Sequence, residues 1–145
     1  EDKGVLIAYA SVYGNTAEAA EKLAEALREK GEKVVTADLA RCDMAEAIED
    51  AFRYDRLVTA SVTYDGGLFP VMESFLSHLK AKNYQNRTVA FIENGSWAPM
   101  SGKLMRSYFE GMKNITILDK VVTVKSAVKS DTIDEIKQLA EELVK

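Results

Sequence analysis

Short apolar runs alternate with segments of helical periodicity along the whole sequence, and this alternation restricts the fold more than any other feature. The first run, Val5 to Ala10, is almost continuously apolar, which is typical of a central parallel strand covered on both faces. In the next segment Ala20, Leu23, Ala24 and Leu27 recur at helical spacing. Because a helix between two strands lets the second strand lie parallel to the first, the pattern favours an α/β fold.

Later segments repeat the pattern four times. The further apolar runs predict strands at residues 33–39, 57–61, 89–92 and 115–124, the last one interrupted near residues 119 and 120. The helical segments are predicted at residues 15–30, 43–52, 70–79, 101–112 and 130–143. Five strands that alternate with five helices predict a doubly wound, three-layer α/β fold around a five-stranded parallel sheet.

The composition narrows the classes of function. The 145 residues are 47% hydrophobic and 29% charged, with a net charge of −4 and no basic stripe, so we expect no nucleic-acid partner. No apolar run approaches the roughly 18 residues that span a membrane, so we expect no membrane partner. One cysteine, Cys42, and one histidine, His78, leave no cluster for a metal. We expect His78 to be a surface residue of a helix and Cys42 to be a small unreactive residue. A cytoplasmic location is the expectation, with any redox chemistry coming from a bound cofactor.

The segment after the first strand, here called the first loop, has the residue types of an anion site. It reads Ser11-Val12-Tyr13-Gly14-Asn15-Thr16 and leads directly into a helix. Hydroxyls, backbone N–H groups and a helix N-terminus together favour a phosphate group. The same residues would serve equally well as an ordinary helix cap, so this loop alone leaves both interpretations open. The chain lacks the glycine motifs of dinucleotide-binding folds and P-loop NTPases.

Two more loops follow predicted strands, and each contains glycine and an aromatic residue. The second loop, residues 61–70, reads Ser61-Val62-Thr63-Tyr64-Asp65-Gly66-Gly67-Leu68-Phe69-Pro70. The third loop, residues 93–99, reads Glu93-Asn94-Gly95-Ser96-Trp97-Ala98-Pro99 and holds the only tryptophan. Ligands of doubly wound sheets bind at the carboxyl ends of the strands. The three loops therefore suit a flat ring system with a phosphate tail.

At these loops the sequence resembles the flavodoxins, and more closely the flavodoxin-like FMN domain of flavodiiron proteins, the rubredoxin:oxygen and nitric oxide oxidoreductases. The first loop resembles the Ser/Thr-x-x-Gly-Asn-Thr flavin-phosphate loop, and the other two resemble the second and third flavin loops of that family. Val62 stands where proline is usual and Asp65 where asparagine is usual. The resemblance covers essentially all 145 residues and implies one flavodoxin-like domain over residues 1–145, with strand order 2-1-3-4-5.

The resemblance also implies FMN as the cofactor and a role for each loop. The first loop would hold the phosphate, with Ser61 and Thr63 beside the ribityl chain. Residues 64–67 would border the reactive N5 edge of the ring, and residues 94–97 its other side. The cofactor-binding residues expected in this way are Ser11, Val12, Tyr13, Gly14, Asn15, Thr16, Ser61, Thr63, Tyr64, Asp65, Gly66, Gly67, Asn94, Gly95, Ser96 and Trp97.

The implied function is electron transfer. FMN would pass electrons from a redox donor, such as a rubredoxin or a flavin reductase, to a diiron oxygen or nitric oxide reductase centre in another domain of a parent protein. We expect no complete catalytic site and no metal in this chain alone. It begins at Glu1 rather than Met, so we expect an excised domain or a free-standing relative. A free-standing flavodoxin, a flavin-dependent quinone or nitro reductase, and a binding module that has lost its cofactor remain alternatives.

Overall fold

The computed structural model describes residues 2–11, 14–64, 66–95, 100–125 and 127–145, with residue 64 described by its backbone only. The strands are β1 (Asp2–Ala10), β2 (Val34–Asp38), β3 (Tyr54–Tyr64), β4 (Gly67–Leu68), β5 (Thr88–Asn94) and β6 (Thr116–Val124). The helices are α1 (Asn15–Glu29), α2 (Met44–Arg53), α3 (Pro70–Ala81), α4 (Ser101–Phe109) and α5 (Ser130–Leu143). No helix within these described ranges is long and apolar enough to cross a membrane.

Five parallel strands form the central sheet in the order β2-β1-β3-β5-β6. The predicted order 2-1-3-4-5 is confirmed, because β5 and β6 are the fourth and fifth parallel strands along the chain. The two-residue strand β4 was not predicted. It folds back on the end of β3 as an antiparallel pair, with Thr63 opposite Leu68 and Tyr64 opposite Gly67. This pairing gives the second loop a hairpin at its start.

Helices cover both faces of the sheet. Successive residues of a strand point to opposite faces, so Leu6 and Leu57 join one apolar cluster while Ile7 and Val58 join the other. The first cluster lies under α2, α3 and α4, and the second lies under α1 and α5. Residues 5–8 are completely buried, which explains why the first strand is apolar without alternation.

The last strand carries the interruption that its sequence predicted. Val89 pairs with Ile117 but Phe91 pairs with Val121, so β6 uses four residues where β5 uses two. The extra residues form a bulge that includes the polar pair Asp119 and Lys120. Because β6 lies at the edge of the sheet, these side chains can reach solvent without disturbing a neighbouring strand.

Arg56 joins three parts of the chain at the end of the sheet where the parallel strands begin. It is 7% exposed, and its Nη1 donates to the carbonyl of Leu143 at 2.8 Å. Its other nitrogens donate to the carboxylates of Glu32 and Asp55. A guanidinium can be buried in this way because its N–H groups meet acceptors and two carboxylates balance its charge. The end of α5 and the turn after α1 are thereby fixed to β3.

We expect the Asp55 carboxylate to make stability depend on pH. Burial acts to raise the pKa of Asp55, but the N–H of Gly4, at 3.0 Å, and the Arg56 guanidinium outweigh it and hold the pKa below its ordinary value. The charged form therefore stabilises the fold at neutral pH, and this stabilisation disappears as the pH falls through the lowered pKa. Asp55→Asn should lower the free energy of unfolding by about 1 kcal/mol or less at pH 7. The effect is small because the Asp55 side chain is 37% exposed, so solvent screens its interaction with Arg56.

Urea denaturation at pH 7 and at about pH 3 measures the difference in free energy of unfolding between wild type and Asp55→Asn. This difference should shrink at the lower pH. Asp134→Asn, an exposed change on α5, is the control. A difference between wild type and Asp55→Asn that stays the same at both pH values would contradict the assignment.

Thr59 offers a second test of the core. Its side chain is completely buried, and its hydroxyl has no hydrogen-bond partner among the described residues. A buried unpaired hydroxyl is destabilising, so Thr59→Val should raise the free energy of unfolding by about 1 kcal/mol. Thr116→Val, at an exposed position of β6, should change it by less than about 0.5 kcal/mol. Denaturation curves decide the point, and a less stable Thr59→Val would show that the hydroxyl is satisfied.

Candidate functional site

The three loops meet at the carboxyl edge of the sheet. Ala10 at the end of β1 pairs with Ser61 of β3, and Ser61 pairs with Glu93 of β5. The chain therefore leaves three neighbouring strands at the same level. This register brings together the described members of the predicted site, which the sequence separates by up to 84 positions, from Ser11 to Gly95.

The first loop turns sharply into α1. Ser11 Oγ accepts a hydrogen bond from the Gly14 N–H at 2.9 Å, and Gly14 has a φ of 89°. Apart from its chain neighbours, an added Cβ at Gly14 would meet no described residue within 4 Å, so glycine is favoured here by its backbone conformation. Gly14 provides no side chain to cap α1, whose N-terminus faces the carboxyl edge. Val12 and Tyr13, also predicted for this site, lie outside the described residues.

A buried hydrogen bond connects the first loop to the third. Asn94 Nδ2 donates to Thr16 Oγ1 at 2.8 Å, and the two residues are 9% and 1% exposed. The Thr16 hydroxyl retains its own proton, which it can donate to another acceptor. Asn94 thus orients a potential donor at the first turn of α1.

The second loop is tied to the start of α4. Thr63 Oγ1 accepts from the backbone N–H of Met100 at 3.1 Å, and the carbonyl of Ser61 accepts from Ser101 Oγ at 2.8 Å. The Ser61 side chain is completely buried, and its hydroxyl donates to the carbonyl of Val62. The predicted contacts of Ser61 and Thr63 with a ribityl chain stay predictions.

The turn of the second loop contains a residue in the left-handed region. Gly66 has a φ of 80°, and apart from its chain neighbours no described residue has an atom within 4 Å of the position of an added Cβ. Glycine adopts this conformation without strain, which fits its place between the backbone of Tyr64 and Gly67 in the hairpin. The Tyr64 side chain and Asp65 lie outside what the structure describes, so their predicted places beside a ring are untested.

The third loop begins at two anchored residues. The N–H of Gly95 donates to the carbonyl of Val124 at 3.1 Å, so the end of β6 forms a fourth side of the site. The Glu93 carboxylate accepts from the N–H of Gly102 and from Thr123 Oγ1. Sequence reasoning missed Thr123 and Val124, because no local motif marks residues that reach the site through strand pairing. Ser96 and Trp97 fall outside the described residues.

The two residues with the most reactive side chains lie away from these loops. His78 is exposed on α3, with its Nδ1 2.7 Å from the carbonyl oxygen of Ser74, as expected for a surface helix residue. Cys42 is exposed before α2, and desolvation raises the pKa of its thiol, with the carboxylates of Asp38 and Asp43 acting in the same direction. The thiol is therefore mainly protonated at neutral pH. The described residues hold no cluster of three or more His, Cys, Asp or Glu that could bind a metal.

Similar proteins match this chain over nearly all of its length. An uncharacterized protein of Methanocaldococcus jannaschii is 25% identical over 142 residues, which are 97% of this chain and 36% of that protein. The rubredoxin-oxygen oxidoreductase of Megalodesulfovibrio gigas is 22% identical over 141 residues, 97% of this chain and 35% of that protein. The chain thus spans about a third of the length of the curated relatives it matches.

Solved structures show the same fold. The rubredoxin oxygen:oxidoreductase of Desulfovibrio gigas superimposes with a TM-score of 0.91 at 22% identity, over 97% of this chain and 36% of that chain. A flavodoxin of Streptococcus pneumoniae superimposes with a TM-score of 0.83 at 25% identity, over 97% of both chains. The predicted flavodoxin-like fold and the predicted resemblance to the flavodoxin-like part of flavodiiron proteins are confirmed. A family model described as Flavodoxin domain matches residues 6–134, and this chain therefore belongs to the flavodoxin domain family.

Proposed function

We propose that this chain binds one FMN at the carboxyl edge of its sheet and serves as an electron-transfer module. The start of α1 carries the proposal. There Gly14 turns the chain into a helix whose N-terminus it cannot cap with a side chain, and Ser11 Oγ holds the turn. Helix N-termini and successive backbone N–H groups attract a phosphate dianion, which FMN has and riboflavin lacks.

The residues present fit the phosphate end of FMN. The Thr16 hydroxyl is oriented by Asn94, and its remaining proton is available to a phosphate oxygen. Among the described residues, no heavy atom beyond the chain neighbours of Gly14 lies within 4 Å of an added Cβ there. Ser11, Asn15 and the N–H groups of residues 12–16 complete the set that we assign to the phosphate.

The other two loops would hold the rest of the cofactor. Ser61 and Thr63 would lie near the ribityl chain and Tyr64 to Gly67 near the N5 edge of the ring. Asn94 to Trp97 would lie on the other side of the ring. The Thr63–Met100 and Gly95–Val124 hydrogen bonds support this assignment, since they keep the backbone on either side of the site in place before a ligand binds.

Bound FMN supplies the redox chemistry, since it exchanges electrons one or two at a time. The role of the chain is to bind the phosphate, orient the ring and limit the contact of the ring with water. The Gly66 turn can bring a backbone carbonyl close to the ring edge because glycine permits the positive φ observed there. A carbonyl at that place would accept a hydrogen bond from a protonated nitrogen of the ring.

The proposed physiological role is relay of electrons from a redox donor, such as a rubredoxin or a flavin reductase, to a diiron oxygen or nitric oxide reductase centre in the cytoplasm. Support comes from the similarity to a rubredoxin-oxygen oxidoreductase, of which this chain covers about a third. The second candidate is a free-standing flavodoxin, which the match over 97% of both chains to the Streptococcus pneumoniae flavodoxin favours.

FMN should bind much more tightly than riboflavin or FAD. The first loop offers several donors to a terminal phosphate, and a charge-assisted hydrogen bond contributes about 1.5–3 kcal/mol. Thr16→Val should weaken FMN binding about tenfold or more and change riboflavin binding little. Thr16→Ser keeps the hydroxyl and should restore most of the affinity. Titrations of the apoprotein followed by flavin fluorescence measure these constants, and equal affinities of wild type for FMN and riboflavin would overturn the phosphate assignment.

The FMN-loaded chain should accept electrons from a redox protein and should not turn over quinones with NAD(P)H alone. A quinone reductase needs a second substrate pocket beside the ring, and no long insertion in this sequence provides one. Stopped-flow absorbance of the flavin band with a reduced rubredoxin, beside steady-state quinone assays, separates the two functions. Sustained quinone turnover with NAD(P)H would favour the reductase alternative instead.

A further inference from the structure

The last two residues of β5 each contact the start of a different helix. Successive side chains of a strand point to opposite faces of the sheet, so Asn94 reaches α1 while Glu93 reaches α4. The Asn94 contact belongs to the phosphate side of the proposed site. The Glu93 contact lies on the side of the second and third loops, where the ring of the flavin is expected.

The Glu93 carboxylate, which belongs to β5, caps the N-terminus of α4. One of its oxygens accepts from the N–H of Gly102 at 3.1 Å, and the other accepts from Thr123 Oγ1 at 2.7 Å. Met100 occupies the N-cap position and its side chain makes no capping hydrogen bond. A carboxylate at a helix N-terminus is stabilised by the unpaired N–H groups and by the helix dipole. Thr123 holds the carboxylate from the opposite side, which fixes its orientation.

Gly102 makes this close contact possible. A Cβ added at Gly102 would lie 2.8 Å from Glu93 Oε1 and 3.3 Å from Glu93 Cδ, so any other residue would displace the carboxylate. Glycine in the first turn of a helix lowers helix stability, and α4 has only nine residues. The presence of glycine there is therefore explained by the space that the Glu93 carboxylate needs.

Further hydrogen bonds hold both ends of the segment between Gly95 and Met100. Gly95 donates to the carbonyl of Val124, and Met100 donates to Thr63 Oγ1 of the second loop. Ser101, completely buried, donates to the carbonyl of Ser61. Glu93 precedes the segment and also contacts the helix that follows it. Its side chain therefore connects the end of β5 directly to the first turn of α4.

We propose that Glu93 is a positioning residue for the ring side of the flavin site, an inference that rests on the proposed function. Its two hydrogen bonds set the distance between the end of β5 and the start of α4. They thereby hold the start of α4, where the N–H of Met100 donates to Thr63 Oγ1 of the second loop. The role requires the acceptor oxygens of the side chain, held by Gly102 and Thr123, rather than its negative charge.

The test uses the whole chain and four variants. Glu93→Ala removes both acceptors, and Gly102→Ala pushes the carboxylate away. Glu93→Gln retains an acceptor for Gly102 and lets the Thr123 hydroxyl rotate to accept from the amide. Glu110→Ala removes an exposed carboxylate at the other end of α4 and serves as the matched control. Each protein is titrated with FMN and with riboflavin, and quenching of the only tryptophan, Trp97, by acrylamide is measured without flavin.

Glu93→Ala and Gly102→Ala should bind FMN and riboflavin more weakly by the same factor, about tenfold, because the ring side of the site is common to both ligands. Quenching of Trp97 in the apoprotein should change in both variants. Glu93→Gln and Glu110→Ala should match wild type. This pattern differs from that of Thr16→Val, which should affect FMN alone.

Three outcomes would overturn the proposal. The first is a lower melting temperature in Glu93→Ala with unchanged flavin affinity and unchanged Trp97 quenching, which would show a purely structural cap. The second is a Glu93→Gln variant as weak as Glu93→Ala, which would assign the effect to charge. The third is a loss confined to FMN. If wild type bound neither flavin, the proposed function would fail, while the Trp97 measurement would still test whether Glu93 positions this segment.

Discussion

Parallel pairing of the five strands of the central sheet is the constraint on which the rest of this molecule depends. Parallel strands need a return crossing, so each pair is joined through a helix and both faces of the sheet become covered. Each of these parallel strands then ends at the same edge of the sheet, so the loops that follow the strands begin there. The site is thus a consequence of connectivity: Ser11, Ser61 and Glu93 become neighbours because their strands are in register.

Much of this architecture could be predicted because its signals are local. The apolar run of β1, the helical spacing in α1 and the position of Pro70 at the first turn of α3 each depend on residues close together in the chain. The three loops could be predicted for the same reason, since glycines and hydroxyls directly follow the strands. Their described members do lie together at the carboxyl edge.

The parts that sequence reasoning missed depend on partners far away in the chain. Nothing near Arg56 indicates that it is buried against Leu143, and nothing near Glu93 indicates Gly102 or Thr123. Ser61 shows the limit in another way. The resemblance implied a place beside the ribityl chain, which stays a prediction, but its complete burial in β3 and the Ser101 hydroxyl that donates to its carbonyl are features that no local motif marks. The type of a residue therefore indicates its chemistry more readily than the direction in which its side chain points.

The bulge in β6 has a consequence for how copies of this molecule meet. An open sheet has two edge strands with unpaired backbone groups, to which a strand of another molecule can add. Here one edge is the short β2, and the other is β6, where four residues stand opposite two and Asp119 and Lys120 interrupt the apolar pattern. An incoming strand could not keep a continuous ladder of hydrogen bonds past that point. The irregularity at β6 therefore protects the chain against intermolecular strand pairing and the aggregation that follows from it.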